Sequence, residues 1–235
     1  MKRIHIIDSL RGFTIISMVL FHLFYNINYY WRLEFYDGTI FNKIWQLSIA
    51  VSFFLISGIT SNFLSKKKNI TRGIKTSILG FAISLITYVF AKEQLIIWGV
   101  LNGLGLCMII GGLLKDKLSQ KLWPIFILLF TFSYNIPSAS LYKIGFFKAL
   151  YDRNLFFLGF PSLEFYSNDY FPLLPWVFAY LAGLSLGSYL IDKNFFSYVG
   201  RENILAKIGK YSMPIYIIHQ IILYPLLTLI YTLTL

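Results

Sequence analysis

The chain has 235 residues, 57% of them hydrophobic and only 13% charged, with a mean hydropathy of +0.66. Soluble domains hold roughly 45–50% apolar and about 25% charged residues, so this composition excludes one and places the chain in a membrane. The net charge of +11 does not point to nucleic acid, because the lysines and arginines gather in short stretches between apolar runs, as topology signals and headgroup contacts do.

The apolar residues come in long runs and not in ten-residue alternating segments, which predicts an all-α, polytopic helical bundle and not a β-barrel. About 20 apolar residues cross the hydrocarbon core. By that measure seven spans are expected, at 9–29, 44–64, 74–91, 95–114, 121–136, 171–191 and 212–233, in a single integral-membrane domain over residues 1–235. The fifth is the shortest. With the N-terminus in the cytoplasm, fifteen lysines and arginines fall on inside segments and six on outside ones, which is the expected positive-inside bias. Lys2 and Arg3 ahead of the first run imitate a secretory signal. That run is too long for one and lacks a small-residue cleavage site, so the first helix is expected to be retained.

The first run, IDSLRGFTIISMVLFHLFYN, carries Asp8, Arg11 and His22. Eleven steps of about 100° bring a helix back to within roughly 20° of its starting face, so Arg11 and His22 share a stripe with Asp8, Ile15, Met18 and Asn26. Ionisable side chains inside a span are costly and are functional by default. His22 falls near mid-membrane, where it can act as a base toward a hydroxyl or amine, or simply hydrogen-bond to a neighbouring helix. Arg11, near the inner headgroups, can pair with Asp8 or clamp the phosphates of a cofactor.

In the second span, Ser57 sits in the small-residue stretch SGITS, which suits close helix packing or the approach of a ligand to the backbone. The fourth run carries Asn102 in WGVLNGLGL, at about the depth of His22. An amide there can polarise a carbonyl. The one long connection, about 137–170, is rich in aromatic residues and is either an interfacial belt or a lid folded back over the bundle. In DYFPLLPW, Asp169 and Trp176 stand at the outer end of the sixth span, as an acceptor-side base and contact or as parts of a helix start. His219 and Gln220 lie in the last run, His219 about a third of the way in from the cytoplasmic side, as a helix-to-helix hydrogen bond or a second catalytic group. Cys107 is the sole cysteine, so there is no disulfide framework. His5 and Asp8 are too few for a metal site, and no metal is expected.

The segments IDSLRGFTIISMVLFH, SFFLISGIT, GVLNGLGL, DYFPLLPWVFAYLAGLSLG and IGKYSMPIYIIHQ, in this order, resemble the bacterial branch of the heparan-alpha-glucosaminide N-acetyltransferase family. The arginine and histidine of the first helix are also similar to the motif of the acyltransferase-3 family. The resemblance implies a transmembrane acyltransferase of the bacterial cytoplasmic membrane. It would take an acyl group, usually acetyl, from cytoplasmic acyl-coenzyme A and deliver it to a sugar acceptor on the far side. Arg11 and His22 match that motif, so the resemblance makes His22 the expected catalytic residue; from their own placement Asn102 and His219 are further catalytic candidates, and Asp8 and Ser57 stand with Arg11 on the cofactor side. The animal enzymes of the family carry their catalytic histidine in the first lumenal loop, and residues 30–43 here contain none. The competing expectation is a small transporter or lipid-handling protein in which Asp8, Arg11 and His22 line a proton or anion path. The acceptor and the oligomeric state are not readable from the residues.

Overall fold

The computed structural model describes residues 4–34, 36, 38–197 and 200–234. Among these the regular structure is helical, joined by turns and irregular segments, with an isolated antiparallel bridge between Leu155 and Phe160. The helices are α1 (His5–Trp31), α2 (Ile40–Ser61), α3 (Lys66–Phe90), α4 (Val100–Leu114), α5 (Trp123–Ser133), α6 (Gly145–Asp152), α7 (Leu173–Asp192), α8 (Ile204–Lys210) and α9 (Ser212–Thr234). Each of the seven expected runs contains one of them. α1, α2, α3, α7 and α9 are long and apolar enough to cross a membrane. The run at 95–114 yields only the 15-residue α4, because Leu95–Gly99 form a turn held from outside. The run at 121–136 yields the 11-residue α5. At about 1.5 Å per residue these two rise roughly 22 and 16 Å, short of a hydrocarbon core of about 30 Å.

Two compact units divide the chain, Met1–Ile56 with Phe196–Leu235, and Ser57–Phe195, α2 passing from the first into the second. In the first unit, α1 packs against α8 and α9. The α1–α8 crossing is made by two glycines: a Cβ on Gly12 would run into the Leu205 carbonyl, and one on Gly209 into the Asp8 carbonyl. Asn203 caps α8, its Oδ1 accepting the Ala206 N–H at 2.8 Å, which satisfies a donor the helix start leaves open. The core of this unit is Ile15, Met18, Phe21, Tyr36 and Ile49, with Trp45, Ile208, Ile215 and Tyr216 packed around it. Two polar links pin it. The Tyr36 hydroxyl donates to the Phe21 carbonyl at 3.0 Å, and Trp45 Nε1 donates to Ser17 Oγ at 2.8 Å. Along α9, Ile221, Leu229 and Leu233 stay exposed, as side chains do where the surrounding solvent is lipid.

In the second unit, α3 packs on α4, and α7 on both α4 and α5. Ser65 caps α3 by accepting the Lys68 N–H at 3.3 Å. Lys115, just past α4, donates to the carbonyls of Asn62 and Leu64 at 3.0 and 2.5 Å, satisfying acceptors left by the end of α2. The long connection contains α6 and two single turns and is tied down at its end. Ser167 Oγ accepts the Ile97 N–H at 2.8 Å, and Asn168 and Phe171 donate their N–H groups to Leu95 and Trp98 at 2.9 and 3.0 Å. These bonds hold the turn that shortens α4.

Candidate functional site

The stripe expected on α1 exists. Asp8, Ile15, Met18 and Asn26 are all buried, and Arg11 and His22 are partly buried between them. Arg11 Nη1 and Asp8 Oδ1 are 3.3 Å apart, one helical turn from each other, with the arginine side chain 27% exposed and the aspartate 6%. The carboxylate therefore holds the guanidinium in place beside it.

Farther along α1, His22 meets α9. Its ring centroid lies 4.9 Å from that of His219, the planes tilted by 54°. Gln220 Nε2 is 3.2 Å from His22 Nδ1, and Gln220 Oε1 accepts from Asn26 Nδ2 at 2.9 Å. His219 Nδ1 is 2.5 Å from the Tyr216 carbonyl, and its Nε2 is buried without a hydrogen-bond partner. Phe21 and Tyr25 set their rings edge-on to His22 at 5.7 and 6.5 Å, and Tyr216 lies 5.6 Å from His219. Beyond this cluster, Tyr30 stacks on Tyr231 at 4.8 Å and shares a 2.6 Å hydrogen bond with Thr228, so α1 and α9 stay in register.

Depth counted from span ends separates the two histidines, whereas the structure places them side by side. The crossing at Gly12 and Gly209 explains why. From it, ten residues lead along α1 to His22, and ten lead through the end of α8 and into α9 to His219. The glycine contact, not the span ends, is the common origin.

The second unit holds the other candidates. Asn102 is buried, its Oδ1 and Nδ2 both without partners, and its amide lies over Gly80 of α3 in the space a Cβ there would take. Ser57 is buried, its Oγ also unpartnered, beside Gly58, where a Cβ would run into the Tyr180 carbonyl. The small-residue stretch thus serves close packing. Asp169 Oδ2 accepts the Val100 N–H at 3.1 Å. Burial pushes this carboxyl up to about 6, against the opposing pull of that hydrogen bond. Trp176 packs between Phe130 and Phe171, with centroids at 5.5 and 4.7 Å.

The chain of amides from Asn26 through Gln220 is what the sequence reading did not assemble. Its signals are present: Asn26 lies four residues beyond His22 on one face, and Gln220 follows His219.

The model of the catalytic region of heparan-alpha-glucosaminide N-acetyltransferase matches residues 3–221. Comparison with curated proteins and with solved structures gives no match. The matched region includes α1 with Arg11 and His22 and reaches past Gln220 in α9.

Proposed function

The chain belongs to the catalytic family of heparan-alpha-glucosaminide N-acetyltransferase, and on that footing we propose that it moves an acetyl group from cytoplasmic acetyl-coenzyme A to a hydroxyl or amine of an extracytoplasmic carbohydrate. The observation that carries this reading is the His22–His219 pair, held inside two membrane-length helices by Gln220 and Asn26. A proton acceptor protected from bulk water is what a transfer from thioester to hydroxyl requires.

The donor approaches from the side of Arg11. Its phosphates meet the Arg11 guanidinium, which Asp8 orients, and the basic stretches nearby add attraction. Acetyl transfer takes place at the histidine pair. The N-terminus is cytoplasmic on the distribution of lysine and arginine, and the membrane is the cytoplasmic membrane of a bacterium.

Reconstituted vesicles supplied with labelled acetyl-coenzyme A on the Arg11 side and an amino sugar or oligosaccharide on the other test the assignment. His22→Ala is expected to abolish transfer while the purified variant keeps its melting transition. Transfer at the wild-type rate by His22→Ala would sink the reading.

A further inference from the structure

Which ring nitrogen of a neutral histidine holds the hydrogen is set by what the other nitrogen meets. For His219 the partner is a carbonyl. Nδ1 lies 2.5 Å from the Tyr216 oxygen, a group that only accepts, so Nδ1 carries the hydrogen. The lone pair is left on Nε2, the buried nitrogen without a partner.

For His22 the partner is an amide. Asn26 Nδ2 donates to Gln220 Oε1 at 2.9 Å, which turns the NH2 end of Gln220 toward His22 Nδ1 at 3.2 Å. An NH2 group only donates. Nδ1 of His22 therefore holds the lone pair, and the hydrogen is on Nε2. The two neighbouring rings are opposite tautomers.

We infer that His219 Nε2 is the general base of the reaction, that His22 Nε2–H is a hydrogen-bond donor to the thioester carbonyl oxygen, and that Gln220, anchored by Asn26, is the positioning residue that sets this division. The inference rests on the acetyltransferase reading above. In the step, the acceptor's oxygen or nitrogen bonds to the acetyl carbon while its proton passes to His219 Nε2. The carbon–sulfur bond then breaks with its electron pair on sulfur, and the thiolate takes the proton from His219. His22 keeps its hydrogen throughout and stabilises the charge that gathers on the carbonyl oxygen. Position on the α1 stripe singles out His22 as the reactive base; the hydrogen bonds around it give that duty to His219.

Histidine labelled with 15N in the ring reports the protonated nitrogen of each neutral imidazole in the full chain in lipid nanodiscs. The signals of His5, His22 and His219 are told apart by those that single substitutions to Gln remove. The expected result is a hydrogen on Nε2 of His22 and on Nδ1 of His219. The reverse at either residue overturns the inference; the tautomers are read from the unaltered protein, and the variants serve only to assign its signals.

Gln220→Glu supplies the second arm. A carboxylate facing His22 Nδ1 only accepts, and draws the hydrogen to that nitrogen. His22 is expected to switch tautomer, and kcat to fall about 100-fold, the loss typical of one oxyanion donor, with KM for acetyl-coenzyme A nearly unchanged. An unchanged kcat with the tautomer switched overturns the role given to His22. Wild-type transfer with the tautomers reversed discards the division of labour and leaves the acetyltransferase reading standing. Absence of wild-type transfer with the tautomers as expected removes that reading, and the assigned roles with it.

Discussion

Asp169, in the segment leading into α7, accepts the backbone N–H of Val100, the first residue of α4, Oδ2 to N 3.1 Å. A residue distant in sequence thus satisfies one of the donors that every helix start leaves open, and its negative charge lies at the favourable end of the helix dipole. Burial opposes it and raises the carboxyl from 3.8 to about 6.

The raised value has a definite sign. Between about pH 4 and 6 the folded chain holds a proton at Asp169 that the unfolded chain has released, so this group's contribution to stability falls as pH rises through that window. The loss approaches about 3 kcal/mol above pH 6. Asp169→Asn keeps an acceptor for Val100 and removes the titration. Its melting temperature at pH 7.5 is expected to equal or exceed that of the wild type, with a flatter profile between pH 4 and 6. Asp169→Ala, which removes the acceptor, is expected to melt lower than Asp169→Asn at every pH. Circular dichroism in detergent reads all three.

Gly12 follows Arg11 in the LRG motif, and its role is set by the α8 backbone. A Cβ there would meet the Leu205 carbonyl carbon at 2.8 Å and run into its oxygen. Backbone cannot swing aside as a side chain does, so Gly12→Ala is expected to cost about 3 kcal/mol. The change also moves α9 relative to α1, because the histidine pair is measured from this crossing. Lowered melting temperature together with lowered acetyl transfer is the expected result. A variant with wild-type stability would show that the crossing relaxes freely.

Coenzyme A is expected to stabilise the purified protein. A ligand that binds only the native state contributes about 2.7 kcal/mol at a concentration 100 times its dissociation constant. Arg11→Ala removes the cation proposed to meet the phosphates. A thermal-shift titration is expected to show the stabilisation displaced to coenzyme A concentrations roughly 10-fold higher. The same titration curve for Arg11→Ala and wild type would remove Arg11 from the cofactor side.

Asn102 has neither amide atom partnered and is 1% exposed. An unsatisfied buried polar group costs about 1–3 kcal/mol, a penalty that an apolar side chain of similar shape does not carry. Asn102→Leu is therefore expected to raise the melting temperature. Gly80→Ala, which fills the space the Asn102 amide occupies, is expected to lower it.

Much of the helical content was legible because lipid imposes a simple condition. Every backbone group in the hydrocarbon must be paired within the chain, so a long apolar run has to be a helix. All seven expected runs contain one. Lengths were less legible where the chain pins a turn from a distance. Leu95, Ile97 and Trp98 are as apolar as the helix after them, yet Ser167, Asn168 and Phe171 claim their backbone groups. No local pattern announces such bonds. α8 was hidden for a different reason, since seven residues are too few for a periodic signal.

By itself the sequence determined that this is a membrane protein of helices, and that Asp8, Arg11, His22 and Asn26 share one face of the first. Composition, run length and a turn of about 100° per residue suffice for that. Only the tertiary structure decided that His219 and Gln220 meet His22. Their meeting depends on two glycines that let α1 and α8 touch, and on hydrogen bonds whose direction follows from what each partner can donate or accept.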